Sequence, residues 1–129
     1  MRRVIISGGG TGGHIYPAIT IARAIADIEP TEFLYVGSKI GLENTLIPKE
    51  GLPFVTLDVR GLERKISVRN LVTLGKTAGS LIKAEGIIHK FKPDVVIGTG
   101  GFVCGPVLLA ASLSGVPTLI QEQNVIPGV

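Results

Sequence analysis

Five of the six residues from Gly8 to Gly13 are glycine, the exception is Thr11, and His14 follows directly. A second run, Gly98-Thr99-Gly100-Gly101-Phe102-Val103-Cys104-Gly105-Pro106, repeats the device later in the chain. A third group, Gln121-Glu122-Gln123-Asn124, sets four polar side chains in a row after an apolar segment. Glycines in such loops let backbone N–H groups approach an anion, and a helix starting there adds partial positive charge. A tight turn alone needs only one or two glycines. Five exceed that need and point to phosphate or sugar-phosphate contact, and two such loops side by side would suit a diphosphate. A neutral imidazole at His14 could accept a proton, or His14 could simply cap the helix or bond a loop carbonyl. Glu122 could bond a sugar hydroxyl or act as a base, and Asn124 could bond a hydroxyl or a phosphate; the alternative is a solvated strand end. Thr99 is polar at a strand end. Phe102 faces either the core or the cleft. Cys104 reads as a small packing residue, since no partner base is evident to make it a nucleophile.

Of two common phosphate-binding readings, one is disfavoured and the other fails. Gly8, Gly10 and Gly13 fit the G-x-G-x-x-G dinucleotide spacing, but that pattern is weak alone. Its ribose-binding acid belongs near the C-terminal end of the second strand, which here reads Val36-Gly37-Ser38. Glu32 begins that strand, at the wrong edge. The P-loop reading fails because no Lys-Ser/Thr pair follows Gly13.

The elements that must position these loops alternate. Val4–Ser7 reads as a buried strand. A helix follows, with Pro17 in its first turn, apolar residues Ile19, Ala22, Ile25 and Ala26 at helical spacing, and a stop at Pro30. Phe33–Val36 reads as a second strand, residues 42–47 as a short helix and Phe54–Val59 as a third strand. Residues 68–91 read as a long helical stretch, with apolar side chains at 68, 71, 74, 78, 81, 82 and 88, in which Gly75, Gly79 and Gly86 weaken the helix signal. Val95–Thr99 is a fourth strand, a helix then runs to about Ser114, and Thr118–Ile120 is a fifth strand. Alternating strands and helices predict an α/β, Rossmann-like parallel sheet with helices on both faces. The nearly all-apolar strands suit double coverage.

A chain of 129 residues is one domain, long enough to bury a core. Its 18 glycines are about twice the usual share. A net charge of +3 decides nothing as a total. No apolar run reaches membrane-spanning length. The run Val4–Ile6 is too short for a signal peptide, and one cysteine agrees with a reducing cytoplasm. Pro127-Gly128-Val129 lies just after a strand and its loop, and reads as a boundary to a second domain.

Gly8–His14 followed by Ile15-Tyr16-Pro17-Ala18, then Lys92-Pro93-Asp94-Val95-Val96-Ile97-Gly98, the loop from Gly100 to Pro106, and Glu122-Gln123-Asn124 resemble the MurG family in order and spacing. The resemblance covers essentially the whole chain. That family comprises inverting transferases of peptidoglycan synthesis, which move N-acetylglucosamine from UDP-N-acetylglucosamine to lipid I, giving lipid II. It implies a GT-B type enzyme of two Rossmann-like domains. This chain is then the N-terminal, acceptor-binding domain (1–129), inactive alone, and the C-terminal donor domain is absent. The resemblance implies that Thr11, Gly12, Gly13 and Asn124 contact the donor. Gly10, Thr99, Gly100, Gly101, Phe102 and Gly105 bind the acceptor diphosphate. His14 and Glu122 are the catalytic candidates. Three positions depart from the family pattern: Phe102 stands where Tyr is usual, Cys104 where Ser is usual and Gln121 where His is usual. Losing the Tyr hydroxyl weakens any hydrogen-bonding role at Phe102. No cofactor is implied, and no metal cluster is visible in the sequence.

An undecaprenyl-diphosphate acceptor lies in the cytoplasmic leaflet, so a peripheral location on the cytoplasmic face of the cell membrane is expected. Residues 60–92 carry a net +6, against −3 for the remainder. Arg64, Lys65 and Arg69 beside Leu71, Val72 and Leu74 fit an interfacial surface on anionic lipid, or else an ordinary solvated helix face. Nucleic acid fits less well, because the stretch lacks an aromatic platform before Phe91. Two other functions stay open: a non-catalytic acceptor-binding and membrane-anchoring subunit of a split enzyme, and another lipid glycosyltransferase of the superfamily, such as a galactolipid synthase.

Overall fold

The computed structural model describes residues 1–9, 12–57, 68–101 and 103–121, with the backbone alone over 68–78. The elements run β1 (Arg2–Ser7), α1 (Gly12–Ile28), β2 (Thr31–Ser38), α2 (Glu43–Glu50), β3 (Phe54–Leu57), α3 (Val68–Phe91), β4 (Val95–Gly98), α4 (Cys104–Leu113) and β5 (Thr118–Ile120). All strand pairs are parallel, in the order β3-β2-β1-β4-β5. The α/β, Rossmann-like class expected from the sequence is what forms. The order reverses between β1 and β4, the switch point at which open α/β sheets hold their ligands.

Alternation along the strands splits the core in two. Val4, Ile6, Tyr35 and Ile97 pack with Ile15, Ala18, Ile19 and Ala22 of α1 and Ile47 of α2. Ile5, Val36, Leu57 and Val96 point the other way, onto Ala84 and Ile88 of α3 and Val107, Ala110 and Ala111 of α4. Each fully buried Ile or Val contributes about 1.5–3 kcal/mol, so both faces of β1 are held firmly. The far end of the sheet is pinned by charge: the Arg3 backbone N–H donates to Asp94 Oδ2 at 2.8 Å, and its guanidinium to the Phe91 carbonyl at 2.7 Å. Arg3 also pairs with Glu32 at 3.1 Å, which confirms that Glu32 stands at the end of β2 remote from the glycine loops.

Two expectations need correction. α1 begins at Gly12, so Pro17 lies in its second turn. There it removes the N–H that would bond the Gly13 carbonyl. The helical stretch expected over 68–91 forms as α3, one continuous helix of 24 residues. Each glycine weakens it by about 1 kcal/mol, but burial of Ala84 and Ile88 on its inner face holds it to the core. β5 is apolar without being covered: Leu119 and Ile120 are 54% and 66% exposed, because among the described residues it pairs only with β4 and forms the sheet edge. No described helix is long and apolar enough to cross a membrane.

Candidate functional site: two glycine loops locked at the switch point

β1 and β4 are neighbours, in register from Val4 opposite Val95 to Ser7 opposite Gly98. Their following loops therefore start side by side. The Thr99 N–H donates to the Ser7 carbonyl at 2.9 Å, and the Gly9 N–H to the Gly100 carbonyl at 3.2 Å. The Thr99 hydroxyl donates to the His14 carbonyl at 2.5 Å. The N-terminal ends of α1 and α4 begin at the same edge, so their unpaired N–H groups and positive dipole ends converge there.

His14 is half-buried in the first turn of α1, with Nδ1 3.1 Å from the Thr99 carbonyl oxygen. A carbonyl only accepts, so this bond exists only when Nδ1 carries the proton. The neutral ring is then held as one tautomer, with the lone pair on Nε2. The ring packs against Gly100, whose φ of +117° suits glycine, and an added Cβ there would lie 2.6 Å from His14 Cε1.

Thr99 requires a correction. It is 1% exposed. Its hydroxyl, N–H and carbonyl are engaged by His14 and Ser7. It fastens the two loops together and presents nothing to a ligand. Gly12 and Gly13 open α1, Gly101 and Gly105 are exposed on the second loop and the start of α4, and these are brought to one edge with His14. The chain leaves β5 at the same edge, where the Gln121 N–H donates to the Gly98 carbonyl at 2.8 Å. Gly10, Thr11, Phe102, Glu122, Asn124, Arg64 and Lys65 lie outside the described residues; Arg69, Leu71 and Leu74 are described only as backbone of α3.

Beneath the loops are two side chains that sequence reasoning passed over. The buried Tyr35 hydroxyl donates to the Gly8 carbonyl at 2.6 Å. Glu43, in the first turn of α2, is wholly buried, and its Oε2 lies 2.9 Å from the Ser38 N–H nitrogen and 3.0 Å from the Ser38 hydroxyl. A signal for Glu43 existed: it is the first acid after the glycine-serine end of β2. Its carboxyl group is enclosed, so it does not serve as a ribose-binding acid either.

Cys104 is the packing residue expected, with hydrogen bonds added. Its sulfur lies 2.9 Å from the Ser7 carbonyl and 3.0 Å from the Gly100 carbonyl, and accepts from the Gly100 N–H at 3.3 Å. Burial pushes the thiol above its ordinary 9.0. Burial, then the nearby Glu43 and Cys104, push the Tyr35 phenol well above its ordinary 10.0. Both groups therefore stay neutral when folded at pH values where the unfolded chain would ionise them. Their contribution is complete below 9.0 and is lost as pH rises. Melting temperature should thus fall as pH passes 9.0 and fall more steeply past 10.0. In Cys104→Ser, whose hydroxyl does not titrate there, the first stage should vanish; a fall unchanged in that variant would assign it elsewhere.

These features define a Rossmann-like domain with two glycine loops joined at its switch point. The chain belongs to glycosyltransferase family 28, whose N-terminal domain matches residues 4–129. It is 54% identical over 128 residues to the UDP-N-acetylglucosamine--N-acetylmuramyl-(pentapeptide) pyrophosphoryl-undecaprenol N-acetylglucosamine transferase of Thermoanaerobacter sp. (strain X514), covering 98% of this chain and 35% of the relative. It is 49% identical over 128 residues to a transferase of the same name from Bacillus anthracis, with the same shares covered. The crystal structure of Acinetobacter baumannii MurG superposes with a TM-score of 0.86 at 32% identity, covering 99% of this chain and 37% of that one. The calicheamicin glycosyltransferase CalG4, at 18% identity, 98% and 34% coverage and a TM-score of 0.66, shares the fold. The chain spans about a third of the length of the curated relatives it matches.

Proposed function

We propose that this chain is the N-terminal, acceptor-binding half of a GT-B type enzyme that transfers N-acetylglucosamine from UDP-N-acetylglucosamine to lipid I. The observation that carries the reading is the locked pair of glycine loops, with His14 fixed between them as the Nδ1–H tautomer. The acceptor diphosphate is held by backbone N–H groups of the second loop and by the start of α4, at Gly101, Phe102 and Gly105, with Gly100 shaping the loop, its own N–H turned to the Cys104 sulfur, and Gly10 contributing from the first loop. Thr11, Gly12, Gly13 and Asn124 meet the donor, most of whose site belongs to a second domain. The acceptor sugar's 4-hydroxyl oxygen attacks the donor's anomeric carbon as the bond to UDP breaks, inverting that centre. The hydroxyl proton passes to Nε2 of His14, with Glu122 as the rival base.

The test is turnover of UDP-N-acetylglucosamine with a lipid I analogue. The full-length protein should form the disaccharide product, and residues 1–129 alone should not. Activity in the isolated chain would sink the two-domain account, and a full-length protein that binds the acceptor without transfer would favour an anchoring subunit.

The same reading places the protein on the cytoplasmic leaflet, docked through the basic segment that includes Arg64, Lys65, Arg69, Leu71 and Leu74. Each basic residue near an anionic surface contributes about 1 kcal/mol. Replacing Arg64, Lys65 and Arg69 together by Glu should sharply reduce sedimentation with phosphatidylglycerol-containing vesicles, most visibly at low salt. Unchanged binding would mean that another face docks.

A further inference from the structure

The wall beneath the first glycine loop has a feature that anion binding does not require. An added Cβ on Gly9 would overlap Oε2 of Glu43 and lie 3.1 Å from its Cδ. One on Gly37 would lie 2.6 Å from Glu43 Cγ and 2.8 Å from the Phe54 ring. Both positions are kept bare by one side chain, so the Glu43 carboxyl group occupies a slot walled by two strand-end backbones. Ser38 holds it there through its N–H and hydroxyl. Tyr35 grips Gly8 next door through its hydroxyl. β2 and α2 thus support the first loop at two successive residues.

Gly9 is the relay. On its other side it touches the second loop: its N–H donates to the Gly100 carbonyl at 3.2 Å, and a Cβ on Gly101 would lie 3.1 Å from Gly9 N and C. Gly100 in turn packs on the His14 ring. A continuous line of contacts therefore runs from Glu43 through Gly9 and Gly100 to the imidazole. We propose that Glu43 is a positioning residue for the transfer reaction: its carboxyl group, wedged between Gly9 and Gly37, sets how deeply the first loop seats and so holds the second loop against His14.

This inference rests on the transferase reading, and its test separates the two. In the full-length protein labelled with 15N-histidine, the wild-type His14 ring, assigned by comparison with His14→Gln, should show a proton on Nδ1 and a bare Nε2. Glu43→Ala should shift or average those ring signals. It should also lower kcat by roughly tenfold to a hundredfold, the scale of an ångström-sized misplacement, while the donor KM stays within about threefold. Glu43→Gln, which keeps the volume and an acceptor for Ser38, should restore most of both. If the alanine variant does not fold, Glu43→Asp, one methylene short of Gly9, should show the same changes in weaker form. The ring signals need no substrate, so they decide the role of Glu43 even if the wild-type protein transfers no sugar. Unmoved ring signals with kcat within about twofold of wild type in Glu43→Ala, or in Glu43→Asp where that stands in, would overturn the proposal. So would a lowered melting temperature with the ring signals in place, because Glu43 would then act on stability alone.

Discussion

Replacing His14 by alanine in the full-length enzyme is expected to lower kcat by about 10²–10⁴, the usual worth of a general base, with little change in donor KM. The reason is the bond from Nδ1 to the Thr99 carbonyl. It fixes which nitrogen is bare, and the ring cannot rotate without giving up that bond and its packing on Gly100. If His14 is the base of the proposed transfer, its effect falls as the acceptor hydroxyl loses its proton, so the loss falls on kcat. His14→Gln refines the test. An amide N–H can still donate to the Thr99 carbonyl, so the loops should stay fastened, but glutamine cannot take a proton. Near-normal kcat in His14→Gln, with the acidic limb of the pH–rate profile unchanged, would make His14 a loop fastener. Loss of that limb in Glu122→Gln would then identify Glu122 as the base.

Much of this arrangement was legible in the sequence because its causes are local. Apolar runs such as Val4–Ile6 and Val95–Ile97, separated by proline and glycine, mark strands and their ends, and the alternation with helical spacing implies the parallel sheet. The glycine loops stand out because five glycines in six residues exceed what any turn requires. What was not legible depends on contacts between distant residues. Thr99 looks like a ligand contact because it is polar at a strand end; only the fold brings the His14 carbonyl, 85 positions away in the chain, to its hydroxyl. Glu43 looks like an ordinary acid in the first turn of a short surface helix. Its burial depends on Gly9 and Gly37 both lacking side chains; Gly37 is near it along the chain, but only the fold brings Gly9 to its carboxyl group. α3 looked breakable because glycine propensity is local, whereas the α3 residues that hold it to the sheet, Ala84 and Ile88, pack against Ile5, Val36 and Val96 from three different strands.

Gly100→Ala should be nearly as damaging as removing His14, although Gly100 carries no functional side chain. At φ +117° an alanine is strained whatever its surroundings, at about 1–3 kcal/mol. Its methyl would also overlap the His14 ring. The atom it would crowd most is Nδ1, the one that bonds the Thr99 carbonyl, so relief comes by swinging the ring away and breaking the bond that sets its tautomer. The expected outcome is a fall in kcat of about 10²-fold or more from misplacement of the base, in a protein whose far-ultraviolet circular dichroism is unchanged. The decisive comparison is the double variant. If Gly100 acts through the position of the imidazole, His14→Ala/Gly100→Ala should be no slower than His14→Ala alone, because the group that the methyl displaces is already gone. Losses that multiply would show that Gly100 has a separate task. The natural candidate is its backbone at the acceptor diphosphate, and the acceptor KM would then rise in Gly100→Ala while the donor KM did not.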